Sequence, residues 1–313
     1  YKHNIQRDPG NVRFNIEASA RLEENITRLW LTNLFLGSDK YAWDLGQTAH
    51  IAYREDRSFD FEDFRLVNGE QRFSINGVLS GQPKHSLEYD FKEVRLEQIS
   101  DLIDGKVDFE GVLNGSILTH TLTRTPYVQG KMEVNRLAIN NRILGDLRFT
   151  SSYDPLMDRF NTSLHIFTDT TKYNLSAQEG FNQGQQVYVN GFFKYPQNIS
   201  PSDTLYQFDV NIEQADAWIV AEILPNIFES IEGQMRGSGQ IAGNFNDVNY
   251  DLTLATSELY NKPVFLETDY WMTGEVHFNN KRGIVLDSLS IDDREGGSGL
   301  LYGSVDMNEF NPV

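Results

Sequence analysis

Between Gly105 and Leu147 apolar and polar residues alternate with a period of two. Val107, Phe109 and Leu113 take odd positions, with Lys106, Asp108 and Glu110 between them. Val128, Met132 and Val134 take even positions, with Gln129, Lys131, Glu133 and Asn135 between. That period marks strands with one apolar and one wetted face. Gly105, Gly111, Gly115, Gly130 and Gly145 punctuate them, as turns or as points of close backbone approach.

The same design runs along most of the chain. From Val12 to Leu22 the even positions are Val, Phe, Ile, Ala, Ala and Leu, and the odd ones are all Arg, Asn, Glu or Ser. Trp30, Leu34 and Leu36 continue in even phase; Tyr41, Trp43 and Leu45 follow in odd phase after a Gly-Ser-Asp turn. Phe59 and Phe61 are odd while Phe64 and Leu66 are even. One extra residue near Asp63 keeps all four on one face, which predicts a β-bulge there.

Segments recur. Ser74-Ile-Asn-Gly-Val-Leu-Ser80 resembles Tyr188-Val-Asn-Gly-Phe-Phe-Lys194. Gly105–Gly111 resembles Gly233–Gly239, and Val128–Val134 resembles Val248–Leu254. A third copy starts near Ile284 and ends in Leu300-Leu-Tyr-Gly-Ser-Val305. The spacing between copies varies, so they read as loose strand modules with loop insertions. The divisions fall at 1–58, 59–186, 187–281 and 282–313, with no clear linkers. Two segments break the pattern. Ile99, Leu102 and Ile103 sit at helical spacing, with Ser100 in place for an N-cap. Ile219, Ile223, Ile227 and Ile231 do likewise, and Pro225 ends or kinks a helix running from Asp216. Each is expected to be a brief amphipathic helix lying on the sheet.

The chain has 313 residues, no Cys and a formal net charge of −18. Without Cys there are no disulfides and no thiolate ligands or nucleophiles. Such an acidic chain repels nucleic acid and anionic headgroups, which sets a nucleic-acid role aside. No apolar run approaches the length of a transmembrane helix. Tyr1 is not an initiator Met and no signal peptide is present, so a slice of a longer protein is expected.

A search for chemistry finds none. His3, His50, His85, His120, His165 and His277 are scattered, with no pair at metal-ligand spacing. Gly237-Ser-Gly239 matches a dinucleotide fingerprint only formally, because strand-like alternation follows it where a helix is required. Asp292-Asp293-Arg294-Glu295-Gly296-Gly297 lacks the spacing of a calcium loop and reads as a charged hairpin turn. No nucleophile elbow occurs, and the Asn-x-Ser/Thr sequons at Asn25, Asn161, Asn174 and Asn198 are of a kind common by chance. No catalytic residue, cofactor or metal is expected, and the chain reads as a non-enzyme.

The order of Gly105–Ser116, Pro126–Leu137, Leu144–Leu147 and Tyr153-Asp154 resembles the repeat of the TamB family, within the AsmA-like group of envelope proteins. The second copy, Gly233–Leu254, departs from it: it lacks the Pro and no Leu-Gly-Asp-Leu follows. The resemblance implies an all-β fold, an elongated U-shaped gutter of antiparallel strands with a hydrophobic interior. It implies a periplasm-spanning protein of a diderm bacterium, held by an inner-membrane anchor absent from these residues. It implies phospholipid movement between the membranes and, with an Omp85-family outer-membrane barrel as partner, outer-membrane protein assembly. Phospholipid acyl chains would then lie against Val107, Phe109, Leu113, Val128, Met132, Val134, Leu147, Phe149, Met235, Ile241, Leu252 and Leu254. An ordinary β-sandwich shows the same alternation. Two other classes therefore stay open: a structural or adhesin-like β-repeat protein, and a chaperone that offers a sheet edge to unfolded strands.

Overall fold

The computed structural model describes residues 2–7, 12–38, 40–82, 84–103, 108–120, 127–168, 185–194, 204–223, 228–244, 247–264 and 268–305. The fold is all-β. Each strand pairing described is antiparallel, and most join neighbours in sequence, so period-two sequence becomes a meander. The chain forms two compact units, residues 1–160 and 161–313.

The first unit begins with β1 (Lys2–Arg7), β2 (Val12–Glu23) and β3 (Ile26–Gly37) side by side. The short β4 (Ala42–Leu45) and β5 (Ala49–Arg54) each pair with β3 on one side and β6 (Phe59–Asn68) on the other. β7 (Gln71–Leu79), β8 (Ser86–Arg95), β9 (Phe109–His120), β10 (Tyr127–Ile139) and β11 (Arg142–Asp154) follow in turn. Helix α1 (Leu96–Ile103) is inserted between β8 and β9, which still pair with each other.

In the second unit β12 (Arg159–Phe167) meets β13 (Gln186–Lys194) through Ser163 Oγ to Asn190 Oδ1 at 2.7 Å. β14 (Tyr206–Asp216), β16 (Gln234–Gly243), β17 (Val248–Pro263), β18 (Tyr270–Asn279), β19 (Gly283–Asp293) and β20 (Ser298–Val305) continue the ladder. Helix α2 (Trp218–Ile223) and the short β15 (Phe228–Glu232) are inserted between the paired β14 and β16. Both helices thus interrupt the turn between two paired strands.

A regular alternation of strand types explains the register. β6, β8, β10, β17 and β19 each carry a bulge, with Asp63, Glu93, Arg136, Glu258 and Ser288 in the left-handed region. The strand after each carries a glycine at positive φ: Gly77, Gly115, Gly145, Gly274 and Gly303. Four bulges are bracketed by a side chain next to that glycine. The amides of Asp63, Glu93, Arg136 and Glu258 donate to Asn76, Asn114, Asp146 and Thr273 at 2.8–3.1 Å. A bulge leaves one residue outside the ladder, and the bracketing oxygen satisfies its amide.

Several local expectations meet this structure directly. The extra residue near Asp63 is present as the register shift between Phe61 and Phe64. Helices form at both sites named, but α1 starts at Leu96, which places Ser100 inside the helix and not at its cap. α2 runs from Trp218 to Ile223, and Ile231 falls in β15. Ile227 and Pro225 lie outside the described residues. Trp30 does not share a face with Leu34 and Leu36. A register shift between Leu31 and Asn33 turns it to the opposite side.

Candidate functional site

Directly paired residues of antiparallel strands point to the same side of a sheet, so the registers define one apolar face in each unit. In the first unit Leu29, Ile51 and Phe61 line up across β3, β5 and β6. Ile75, Tyr89 and Ile117 line up across β7, β8 and β9. Val94, Leu113, Val134 and Leu147 line up across β8 to β11. Phe73 stacks on Phe91 at 5.2 Å between ring centroids and on Tyr89 at 6.4 Å. The opposite face carries Glu88, Asp90, Lys92, Asn114, Lys131 and Glu133.

The face is covered unevenly. Leu66, Val94, Leu113 and Val134 are buried. This end lies near α1, whose Gln98 Oε1 accepts from Trp43 Nε1 at 2.9 Å and from Asn68 Nδ2 at 3.2 Å. Away from it, Ile51, Phe61, Ile75, Tyr89, Phe91, Ile117, Met132 and Phe149 are only half-buried, and so is Phe73, which pairs with Leu66. Side chains beside one another on a single sheet shield each other partly; a second packed layer would bury them.

The second unit repeats this arrangement. Val189, Val210 and Gly239 pair across three strands, and so do Phe208, Ile241 and Tyr250. Leu252 pairs with Phe278, and Leu254 with Val276. At one end Ala215, Ala217, Ile231, Met235 and Leu259 form a buried cluster, with Ile219, Val220 and Ala221 of α2 packed against it. Below the helix, Asp216 accepts hydrogen bonds from the side-chain amides of Gln185, at 3.2 Å, and Gln234.

The twelve residues expected to meet acyl chains divide accordingly. Leu113, Val134 and Leu147 are directly paired, and Met132 pairs with Phe149. Val128 faces Thr119 further along the same side. Of these, Leu113 and Val134 are buried, while Val128, Met132, Leu147 and Phe149 are half-buried. Phe109 is 43% exposed at the strand end. It opens on a cleft of ≈ 420 Å³ whose other walls include Arg95, Glu97, Gln98 and Asp108. In the second unit Met235 is in the buried cluster, Leu254 packs on it, and Ile241 and Leu252 are half-buried. Val107 lies outside the described residues.

What the sequence reading missed is the supporting machinery. The brackets Asn76, Asn114, Asp146 and Thr273 and the tether Gln98 carry the face without belonging to it. The recurring Asn-Gly pairs at 76–77 and 114–115 were the available signal.

Among the described residues no group of three or more His, Asp or Glu is arranged to hold a metal ion. No helix among them is long and apolar enough to cross a membrane. The Gly237-Ser-Gly239 segment lies inside β16, and Asp293 closes the β19–β20 hairpin by accepting from the amides of Glu295 and Gly297. Compared with protein-family models, with curated protein sequences and with solved structures, the chain gives no significant match.

Proposed function

We propose that this chain is part of an envelope protein of a diderm bacterium, and that it carries phospholipid acyl chains on the apolar faces of its sheets. One observation carries the reading: the long row of half-buried Phe, Tyr, Ile and Met side chains running from strand to strand in each unit. Each methylene moved from water onto such a surface gains about 0.8 kcal/mol, so acyl chains need no specific polar site. Headgroups stay in water. The resemblance of residues 105–154 to the TamB repeat supplies the rest: transfer between inner and outer membranes, an anchor outside these residues, and an Omp85-family barrel as partner.

The test is lipid copurification and photo-crosslinking. The wild-type chain should carry phospholipid. Phe91→Asp combined with Phe149→Asp should lower the lipid-to-protein ratio severalfold while the circular dichroism spectrum stays strand-dominated. Lys92→Glu, on the opposite face, should leave the ratio unchanged. A lipid-free wild-type chain, or a folded double variant that keeps its lipid, rejects the proposal.

A further inference from the structure

The strands of the first unit end at two rims. Helix α1 and the β6–β7 and β10–β11 turns lie at one; the β2–β3, β5–β6, β7–β8 and β11–β12 turns lie at the other. Among the described residues of this unit, every large apolar side chain that stands exposed is at the second rim, except Phe109. Leu22, 81% exposed, adjoins the β2–β3 turn. Tyr53 and Phe59 flank the β5–β6 turn with their ring centroids 4.8 Å apart. Tyr153, Leu156 and Met157 stand at the β11–β12 turn, with Leu156 93% and Met157 64% exposed. Single exposed apolar residues need no explanation, but a set confined to one rim does.

The β11–β12 turn holds its side chains out on a pinned backbone. Asp154 Oδ1 accepts from the amides of Leu156 at 3.0 Å and Met157 at 3.3 Å. The Tyr153 hydroxyl donates to Asp158 Oδ1 at 2.6 Å, and the Tyr153 ring rests on Phe160 at 5.1 Å between centroids. Little entropy is therefore lost when a partner covers Leu156 and Met157. The layout of the rim says which partner fits. Neighbouring strands lie about 4.8 Å apart, so successive turns stand about 10 Å apart and their apolar tips form a row of separate points. A protein partner needs one contiguous packed patch. A bilayer takes separate side chains one by one, with tyrosine rings at headgroup level. The half-buried stretch of the apolar face also runs out to this rim, where Phe61 is followed on the same side of β6 by Phe59, 6.5 Å away between ring centroids. Charges of both signs stand at the turns, Glu24, Glu55, Asp56 and Asp158 with Arg57 and Lys84. They supply no polybasic field to draw in anionic lipid.

We propose that this rim docks on the surface of a zwitterionic bilayer, with Leu156 and Met157 inserted at the acyl boundary. Docking brings the open stretch of the apolar face to its lipid. It rests on the lipid reading for its purpose and is measured apart from it.

The test is flotation of the whole chain with phosphatidylcholine vesicles. The wild-type chain should float with them, and Leu156→Asp combined with Met157→Asp should weaken binding by at least about tenfold. Both side chains are exposed, so the double variant keeps its fold, which a circular dichroism melt verifies. The chain has no Cys, so Met157→Cys and Glu70→Cys each carry one environment-sensitive fluorophore. Vesicles should shift the emission at position 157 to the blue and leave that at position 70, on the rim of α1, unchanged. A wild-type chain that does not float, or a folded double variant that floats equally well, overturns the proposal. So does a blue shift at position 157 that appears without vesicles and grows with protein concentration, since the turn then packs on a second copy of this chain. A chain that copurifies with lipid yet does not float loses docking alone; one that floats without carrying lipid keeps docking and loses lipid carriage.

Discussion

Asp56 closes the turn between β5 and β6. One carboxylate oxygen accepts from the Ser58 hydroxyl at 2.5 Å and from its amide at 3.1 Å. These bonds, the hydroxyl first, hold the carboxyl below its ordinary value of 3.8. A depressed folded-state pKa stabilises the fold above the unfolded value, and the gain is lost as pH falls through the folded one. Asp56→Asn keeps an acceptor for Ser58 but removes the titration. Its thermal midpoint should therefore fall less steeply than wild type below about pH 4, a difference read from melts at a series of pH values. The bulge brackets give a second test at this scale. Asn114→Ala strips the acceptor from the Glu93 amide and should cost about 1 kcal/mol. Gly115→Ala adds both a strained φ and a Cβ that meets the Lys131 carbonyl, and should cost about 1–3 kcal/mol. Urea melts that rank the two in the opposite order would remove close packing as the reason for the Asn-Gly pairs.

Strands were legible because a half-covered sheet demands strict alternation, and alternation survives in sequence as parity. The switch from Phe61 to Phe64 even gave away its bulge, since only an extra residue reconciles the two phases. Trp30 was misplaced for the converse reason: the shift in β3 lies among Leu31, Thr32 and Asn33, where an extra residue still reads as continued alternation with Leu34 and Leu36. Ser100 misled because the helix starts where β8 ends, at Leu96, so a residue that favours caps falls inside it at a small cost in propensity. The division of the apolar face into buried and half-exposed ends was not legible at all. Leu113 and Met132 belong to one pattern, and only packing near α1 or α2 separates such residues. The buried ends should therefore carry stability. Met235→Ala, in the cluster under α2, should destabilise by about 2–5 kcal/mol. Ile241→Ala, only half-buried on the same strand, should cost clearly less in the same chemical melts.

A net charge of −18 acts at the scale of the whole chain. Acidic and amide side chains dominate the polar faces, with Glu88, Asp90, Asp209, Asp251, Glu275 and Asp287 on them. Cations such as Lys131 and Lys262 are drawn into local pairs with Glu133 and Glu229 and add little free positive field. Approach to a bilayer is then resisted in proportion to the bilayer's own negative charge. The resistance reaches about 30 Å at 0.01 M ionic strength and about 10 Å at 0.1 M. If the apolar faces take up acyl chains, transfer of a fluorescent phospholipid from zwitterionic vesicles should outpace transfer from vesicles rich in anionic lipid severalfold at low salt. Added salt should bring the two rates together by quickening the anionic case and leaving the zwitterionic one nearly unchanged. Stopped-flow traces at several salt concentrations separate this from uptake governed by headgroup chemistry. A ratio that ignores salt would show that the acidic faces do not meet the membrane, and that the lipid enters where their field is not felt.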